Sequence, residues 1–459
     1  MHLTQAAILV ALAVLAAGTP APAQAHEDWL LSASAFPARV AQTPRELTLD
    51  NGILRATFRL EPEAALVSLE LGPDRRQLLR SCRPVLSLRL DGVDVDVGGL
   101  SGQKNHAFLL PEELDAMTRD ERAFHCTSAE VLPMTERFAW PSEARRPTTD
   151  VDVHWPPNGV HAVLHFAPPE HLPSKLAVDV HIELYDGLPL YAQWFTVHNG
   201  GEVAHELDRF TALQWAMVEA ESRVEPERAG VLLPNVHVET DFAFHAMTGA
   251  DGSAHCVRWL PDPLYETQVN YEKKTRCLLE VAPDLGPCQT IGGGATFSSF
   301  RTFVLCPGDD ADRDRSSQAL CRMYRTLAPW TQENPLMLHL RTAEPDAVRT
   351  AILQCEAVGF EMVILSFGSG FDIEDDSDQN LARWKDLADF AHAHGVRIGG
   401  YSLLSSRKIE PLADNCLNVA TGEPGGQVFG FAPALASAWG QRYFAKLRRF
   451  FEHTGFDCL

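Results

Sequence analysis

From Arg45 to about Phe303, apolar and polar residues alternate with the two-residue period of half-buried strands, and turn signals punctuate the alternation. Leu47-Thr48-Leu49-Asp50 and Ile53-Leu54-Arg55-Ala56-Thr57-Phe58 flank Asn51-Gly52, a dipeptide that favours the positive φ of tight hairpins. Further strands are predicted over 86–90, 162–166, 176–184, 191–198 and 297–305, with Asp186-Gly187 turning between two of them. Few helical periods interrupt this stretch, which predicts an antiparallel β-sandwich.

The pattern changes after the charged run at 309–315. A helix is predicted over 316–327, with Leu320, Met323, Tyr324 and Leu327 on one face, and Ala328-Pro329-Trp330 breaks it. From Pro335 onward, strand-like runs at 335–340, 361–365, 397–401 and 456–459 alternate with helical runs at 346–358, 379–394 and 437–453. Val348, Ala351, Ile352, Cys355 and Val358 follow helical spacing. Gly359, Gly395 and Gly455 follow the three periodic runs, where a left-handed residue commonly ends a helix. This βαβαβαβ order predicts a parallel sheet, as in a barrel or a doubly wound fold. A (β/α)8 barrel needs eight strands and carries its chemistry at their C-terminal ends, so about half of it is expected to lie beyond Leu459.

The formal net charge is −22 and the pI is near 5.2, which argues against nucleic-acid and anionic-membrane partners. Residues 6–18 form an apolar run followed by Ala23-Gln24-Ala25. This reads as a signal peptide over 1–25, too short to span a bilayer comfortably, with a mature start at His26 and a secreted or periplasmic location. The expected organisation is then a linker at 26–44, a sandwich domain at 45–315, a connecting helix and linker at 316–334, and a barrel segment at 335–459. Export permits disulfides, and Cys277 and Cys288, among ten cysteines, flank a plausible hairpin and could pair. No Cys-x-x-Cys or tight His/Cys cluster is present, so neither a metal nor a cofactor is expected. No N-glycosylation sequon occurs.

Candidate chemistry belongs to the loops after strand C-termini, at 341–344, 366–378 and 401–435. Asp372 and Glu374 are carboxylates able to accept hydrogen bonds from paired sugar hydroxyls. Tyr401, Phe429 and Phe431 offer rings that could stack on a pyranose or pack in the core. Arg407, with Lys408, could hold a substrate or catalytic carboxylate, or form a structural ion pair. The acidic run 372–378 lacks the glycine and closing Glu of a calcium loop, and acids also favour helix starts. Gly368-Ser369-Gly370 lacks the lysine of a phosphate loop. No nucleophile elbow or zinc-protease motif occurs.

Several strings resemble the α-galactosidase-like glycoside hydrolases, the clan of families 27 and 36. They are Leu49-Asp50-Asn51-Gly52, Ile182-Glu183-Leu184-Tyr185-Asp186-Gly187-Leu188-Pro189-Leu190 with Trp194 and Val197-His198-Asn199, and Met323-Tyr324-Arg325-Thr326-Leu327-Ala328-Pro329-Trp330 with Glu333-Asn334-Pro335. Ile364-Leu365-Ser366-Phe367-Gly368-Ser369-Gly370-Phe371, Gly399-Gly400-Tyr401-Ser402-Leu403-Leu404 and Thr454-Gly455-Phe456-Asp457 continue the match. The resemblance implies a multidomain β and α/β protein: a β-supersandwich related to galactose mutarotase, then the first half of a (β/α)8 TIM barrel. It implies retaining hydrolysis by two carboxylates, the nucleophile at or just after the fourth strand and the acid/base near the sixth. Both are therefore expected beyond Leu459, no catalytic residue is expected within the chain, and the 459-residue chain is expected to be inactive. The expected function is that of a fragment of an exported α-galactosidase-type enzyme acting on α-linked sugars, with Asp372, Glu374, Tyr401 and Arg407 as substrate-binding residues. The alternative is a non-catalytic carbohydrate-binding protein that uses the sandwich.

Overall fold

The computed structural model describes residues 27–140, 154–220, 233–242, 249–308, 313–329, 335–404, 406–418, 420–426 and 430–459. The expected signal peptide lies outside the described residues. Among those residues the chain is mostly β, with few helices.

The Asn51-Gly52 hairpin forms as expected. Glu46–Asp50 pairs antiparallel with Leu54–Arg59, and Leu47, Leu49, Ala56 and Phe58 turn inward. The side chain of Asn51 holds the turn. Its Oδ1 accepts the backbone N–H groups of Ile53 and Leu54 at 3.0 and 2.8 Å, and Gly52 takes φ +81°. Its Nδ2 donates to the carbonyls of Tyr185 and Leu188, both at 2.7 Å, and so ties this hairpin to the distant Asp186-Gly187 turn. Gly187 sits at φ +63° against the backbone of Ala33, where a Cβ would lie 2.6 Å from the carbonyl oxygen.

Four antiparallel sheets build the β-rich region. One runs in the order Arg39–Gln42, Glu46–Asp50, Leu54–Arg59, Ala65–Leu71, Arg76–Gln77. The largest runs His237–Thr240, Thr302–Leu305, Leu190–Asn199, Leu176–Tyr185, Gly159–Ala167, His125–Leu132. Two four-stranded sheets complete it: Pro287–Ile291, His205–Thr211, Leu86–Leu90, Val93–Val97, and Val257–Pro261, Arg276–Val281, Leu213–Met217, Leu79–Ser81. Alternation decides which faces meet: Val178, Val180, Ile182 and Leu184 are fully buried, while Asp179, His181 and Glu183 line the opposite face. One apolar core gathers side chains from all four sheets, from Trp29 to Leu327.

Several expectations need correction. Residues 297–305 form two strands, Thr296–Ser298 and Thr302–Leu305, both on Leu190–Asn199. The ladder breaks because the Ser299 hydroxyl, at 3.0 Å, takes the N–H of Phe195 that a backbone carbonyl would otherwise accept. The described part of the expected linker is packed: Trp29 is only 8% exposed, and Arg39–Gln42 is a strand. Arg315 holds the Asp28 carboxylate at 2.7 and 2.8 Å and Arg322 donates to the Leu30 carbonyl, long-range contacts that no local pattern reveals. The Arg315 hydrogen bond is the main force lowering the Asp28 carboxyl to about 2. The helix Arg313–Leu327 buries Ala319, Met323 and Leu327 in the sandwich core, whereas Tyr324 stays 39% exposed and donates its hydroxyl to the Glu239 carboxylate. All ten cysteines are free; Cys277 and Cys288 lie on strands of different sheets.

The last sheet is parallel: Met337–Leu340, Met362–Leu365, Arg397–Gly399. Helices Pro345–Val358, Asp378–Ala393 and Ala438–Thr454 pack on one face, against the row Leu338–Val363–Ile398 and against Leu340 and Leu365. Gly359 and Gly455 end their helices at φ +82° and +71°. The expected strand at 456–459 is reduced to one parallel bridge between Gly399 and Cys458. Asp457 reinforces that bridge: its carboxylate accepts Ile398 N–H at 2.8 Å and hydrogen-bonds His392 Nε2 at 2.9 Å. The described residues thus form a three-stranded layer covered on one side, and do not themselves close half a barrel. Among them, no helix is long and apolar enough to cross a membrane.

Candidate substrate-facing loops

The site predicted from sequence lies where the parallel strands end. After Leu365 the chain turns through Gly368 and Gly370, both at positive φ. Phe371 and Ile373 then point into the core. Phe371 packs edge-on to Trp384 and parallel to Phe456, with ring centroids 5.0 and 5.5 Å away. This alternation throws Asp372 and Glu374 outward. Gly400, on the next strand end, is required by the same ring: a Cβ there would lie 2.1 Å from Phe371.

Glu374 is met by Arg407 from the following loop, whose guanidinium donates through both Nη atoms, Nη2 to Oε2 at 3.1 Å. A forked pair of this kind fixes both planes. The Glu374 hydrogen bond pushes the Arg407 guanidinium further above its ordinary range. The Ala438–Thr454 helix backs the pair. Arg407 lies over the Trp439 indole with its Cζ 5.3 Å from the ring centre, and Trp439 stacks on Tyr443 at 5.0 Å. The Tyr443 hydroxyl donates to Ser402 Oγ at 2.7 Å, and Lys446 Nζ donates to the Glu374 carbonyl at 2.7 Å. Burial raises the Tyr443 phenol.

Asp372 is exposed and its Oδ1 accepts the N–H of Glu374 at 2.9 Å. Its negative charge also acts on Arg407. The structure therefore brings Asp372, Glu374 and Arg407 together. Tyr401 belongs to a different feature: it is 45% exposed and tilted against Phe367, itself 67% exposed, with centroids 6.4 Å apart. Phe431 carries Lys408 Nζ above its ring at 5.4 Å, and Phe429 lies outside the described residues. The rest of the acidic run starts a helix. Ser377 caps it by accepting the Asn380 N–H, and Asp376 and Asp378 pair with Lys446 and Arg449. Among the described residues, no group of His, Cys, Asp and Glu side chains could hold a metal ion.

Sequence reasoning missed Phe367 and the trio Trp439, Tyr443 and Lys446. The trio had a signal, since its i, i+4, i+7 spacing marks one helical face. The assembled loops offer acceptors at Asp372, a neutralised carboxylate at Glu374 and solvent-facing rings, a set suited to holding a polyol.

Compared by sequence, the chain matches no protein-family model and no curated protein. Its fold does match solved structures. An α-galactosidase from Lactobacillus brevis aligns at TM-score 0.51 and 12% identity, over 92% of this chain and 63% of its own. The galactosidase domain of the α-galactosidase–sucrose kinase AgaSK aligns at 0.51 and 10%, over 91% and 66%. The GH36 α-galactosidase AgaB from Geobacillus stearothermophilus aligns at 0.50 and 11%, over 91% and 64%. The chain thus spans a little under two thirds of the length of these neighbours. At such identities the likeness is one of architecture: the chain shares the fold of GH36 α-galactosidases, most fully in its β-rich region.

Proposed function

We propose that this chain is part of an exported glycoside hydrolase of the α-galactosidase type, in which residues 335–459 begin a (β/α)8 barrel and supply loops at its mouth. One observation carries the reading. On a fold shared with α-galactosidases, Asp372, Glu374, Arg407 and Tyr401 all follow the C-terminal ends of adjacent parallel strands, where barrels bind substrate. In this reading Asp372 accepts hydrogen bonds from neighbouring sugar hydroxyls, and the Phe367–Tyr401 pair presents ring faces to the sugar. Arg407 holds the Glu374 carboxylate through both of its Nη atoms, which suits orientation rather than proton transfer.

Retaining hydrolysis needs two carboxyl groups about 5 Å apart. We assign that pair to strands outside these 459 residues, because Glu374 is already paired and Asp457 is spent on Ile398 and His392. The test is an aryl α-galactoside assay of the 459-residue chain beside a version extended through eight strands. The extended chain is expected to release the sugar with its anomeric configuration retained, and the shorter one to show no turnover. Turnover by the 459-residue chain, or a folded extended chain silent on α-galactosides, overturns the reading.

A further inference from the structure

A groove of about 530 Å3 opens on the β-rich region, away from the parallel sheet. That size falls within the roughly 300–1,000 Å3 of ordinary ligand pockets. Its wall is the outer face of Leu86–Leu90, Val93–Val97 and His205–Thr211. Strand register sets two polar rows across that wall, Asp96–Ser87–Thr211 and Asp94–Arg89–Arg209. Arg258, Glu280 and Asp284 of the neighbouring sheet and its following loop form one rim, and Asp120 and Arg122 lie on the border.

Two guanidiniums there have no partner. Arg89 pairs with Asp94 at 2.9 Å and Arg258 with Glu280 and Asp284, but Arg122 and Arg209 make no ion pair or side-chain hydrogen bond among the described residues. Arg209 also stands directly opposite Arg89 in register, a like-charge juxtaposition that costs stability. Acceptors are equally at hand. Ser87 Oγ donates to Asp96 at 2.6 Å, and desolvation by the surrounding protein raises the Asp96 carboxyl, with Asp120 and Asp94 adding to the effect.

We propose that this groove binds a neutral oligosaccharide. A phosphate or uronate would meet five carboxylates, and a polyamine would meet four guanidiniums. A sugar hydroxyl both donates and accepts, so it can use the two sets together without bringing a charge. The choice of a saccharide among neutral polyols rests on the glycosidase reading above. The site is a different one, and it can fail alone.

The test is titration calorimetry of the 459-residue chain with raffinose, repeated with heparin and spermine as charged probes. R122Q/R209Q is expected to weaken raffinose binding about tenfold or more, the loss of two charged donors, at a melting temperature that is not lowered, since the Arg209–Arg89 repulsion is relieved. Should that variant fold poorly, D96N replaces it, with the same weakening expected. E374Q, in the barrel loops, is expected to leave this binding intact. Raffinose affinity insensitive to R122Q/R209Q and D96N overturns the groove while leaving the glycosidase reading standing. Heparin binding that depends on Arg122 and Arg209 overturns it in favour of an anion site. Absence of raffinose binding also overturns it, and the aryl galactoside assay still decides the proposed function independently.

Discussion

The two regions of this molecule keep water out in different ways. In the β-rich region sheets cover sheets: Leu190 to Phe195 of one strand are buried on both faces. In the parallel region the helix-facing row is covered and the other face is largely open, Met362 excepted, and the edge strand Met337–Leu340 has no fully buried residue. Parallel sheets are normally buried on both faces. Cohesion in the parallel region therefore rests on the aromatic cluster beneath the helices, where Trp384, Phe371, Phe450 and Phe456 meet at 5.0–5.7 Å. The β-rich region is pinned instead by buried amides that span the chain. Asn51, Gln193 and Asn199 each donate to two or more distant carbonyls. One region is specified by shape, the other by polar locks.

Trp384→Ala should break the contrast most sharply. Emptying that site costs about 3–5 kcal/mol. Residues 335–459 should become protease-sensitive while the sandwich keeps its thermal transition; a single shared transition moving as a unit would show that the regions are not separable. Asn51→Ala attacks the other side. It strips donors from the Tyr185 and Leu188 carbonyls and an acceptor from two N–H groups, for about 2–4 kcal/mol. The sandwich midpoint should fall while exchange protection in the Asp378–Ala393 helix is unchanged.

Acid should also act on the sandwich first. Burial, with His161 beside it, depresses the His181 imidazole to about 4 from its ordinary 6.5. Between these values the unfolded chain binds more protons than the folded one, so stability falls as pH falls, by up to about 3 kcal/mol. Denaturation midpoints of the sandwich measured between pH 7 and 4 should show that slope, and H181Q should flatten it. Arg407→Ala is the mildest change, at about 1 kcal/mol or less for a pair that reaches solvent. It should speed hydrogen exchange at 366–377 and leave both transitions nearly in place.

Legibility followed locality. The hairpin at Asn51-Gly52 and the paired strands around Asp186-Gly187 were readable because each sits beside its own turn signal. Helix positions were readable because their stripes are short-range, and the helix expected at 346–358 runs Pro345–Val358. Val93–Val97 alternates as plainly as any strand yet was missed, since Asp-rich alternation reads as surface loop. Ala65–Leu71 was missed although Val67, Leu69 and Leu71 alternate with Ser68 and Glu70, since the apolar run 64–67 ahead of them blurs the two-residue period. At the candidate loops, sequence supplied Asp372, Glu374 and Arg407, and their shared location follows from strand order. It could not supply the Glu374–Arg407 pairing, which depends on how two loops fold back over Trp439, nor the separation of Tyr401 from that pair. Nor could sequence tell the two faces of the parallel sheet apart: Val363 and Ile398 face the helices and are fully buried, whereas Met337 and His339 mark its open face.

The clasp between the first described residues and the Arg313–Leu327 helix has a mechanical consequence. Arg315 grips Asp28 across 287 positions of sequence, and Arg322 grips Leu30 across 292. The two ends of the β-rich region are thereby buckled side by side. A pull applied between residue 28 and residue 315 would load two guanidinium contacts before it reached any strand. Once they slipped, the sheets would take the full tension at once, so the region should yield in two steps, a small early release followed by the large one.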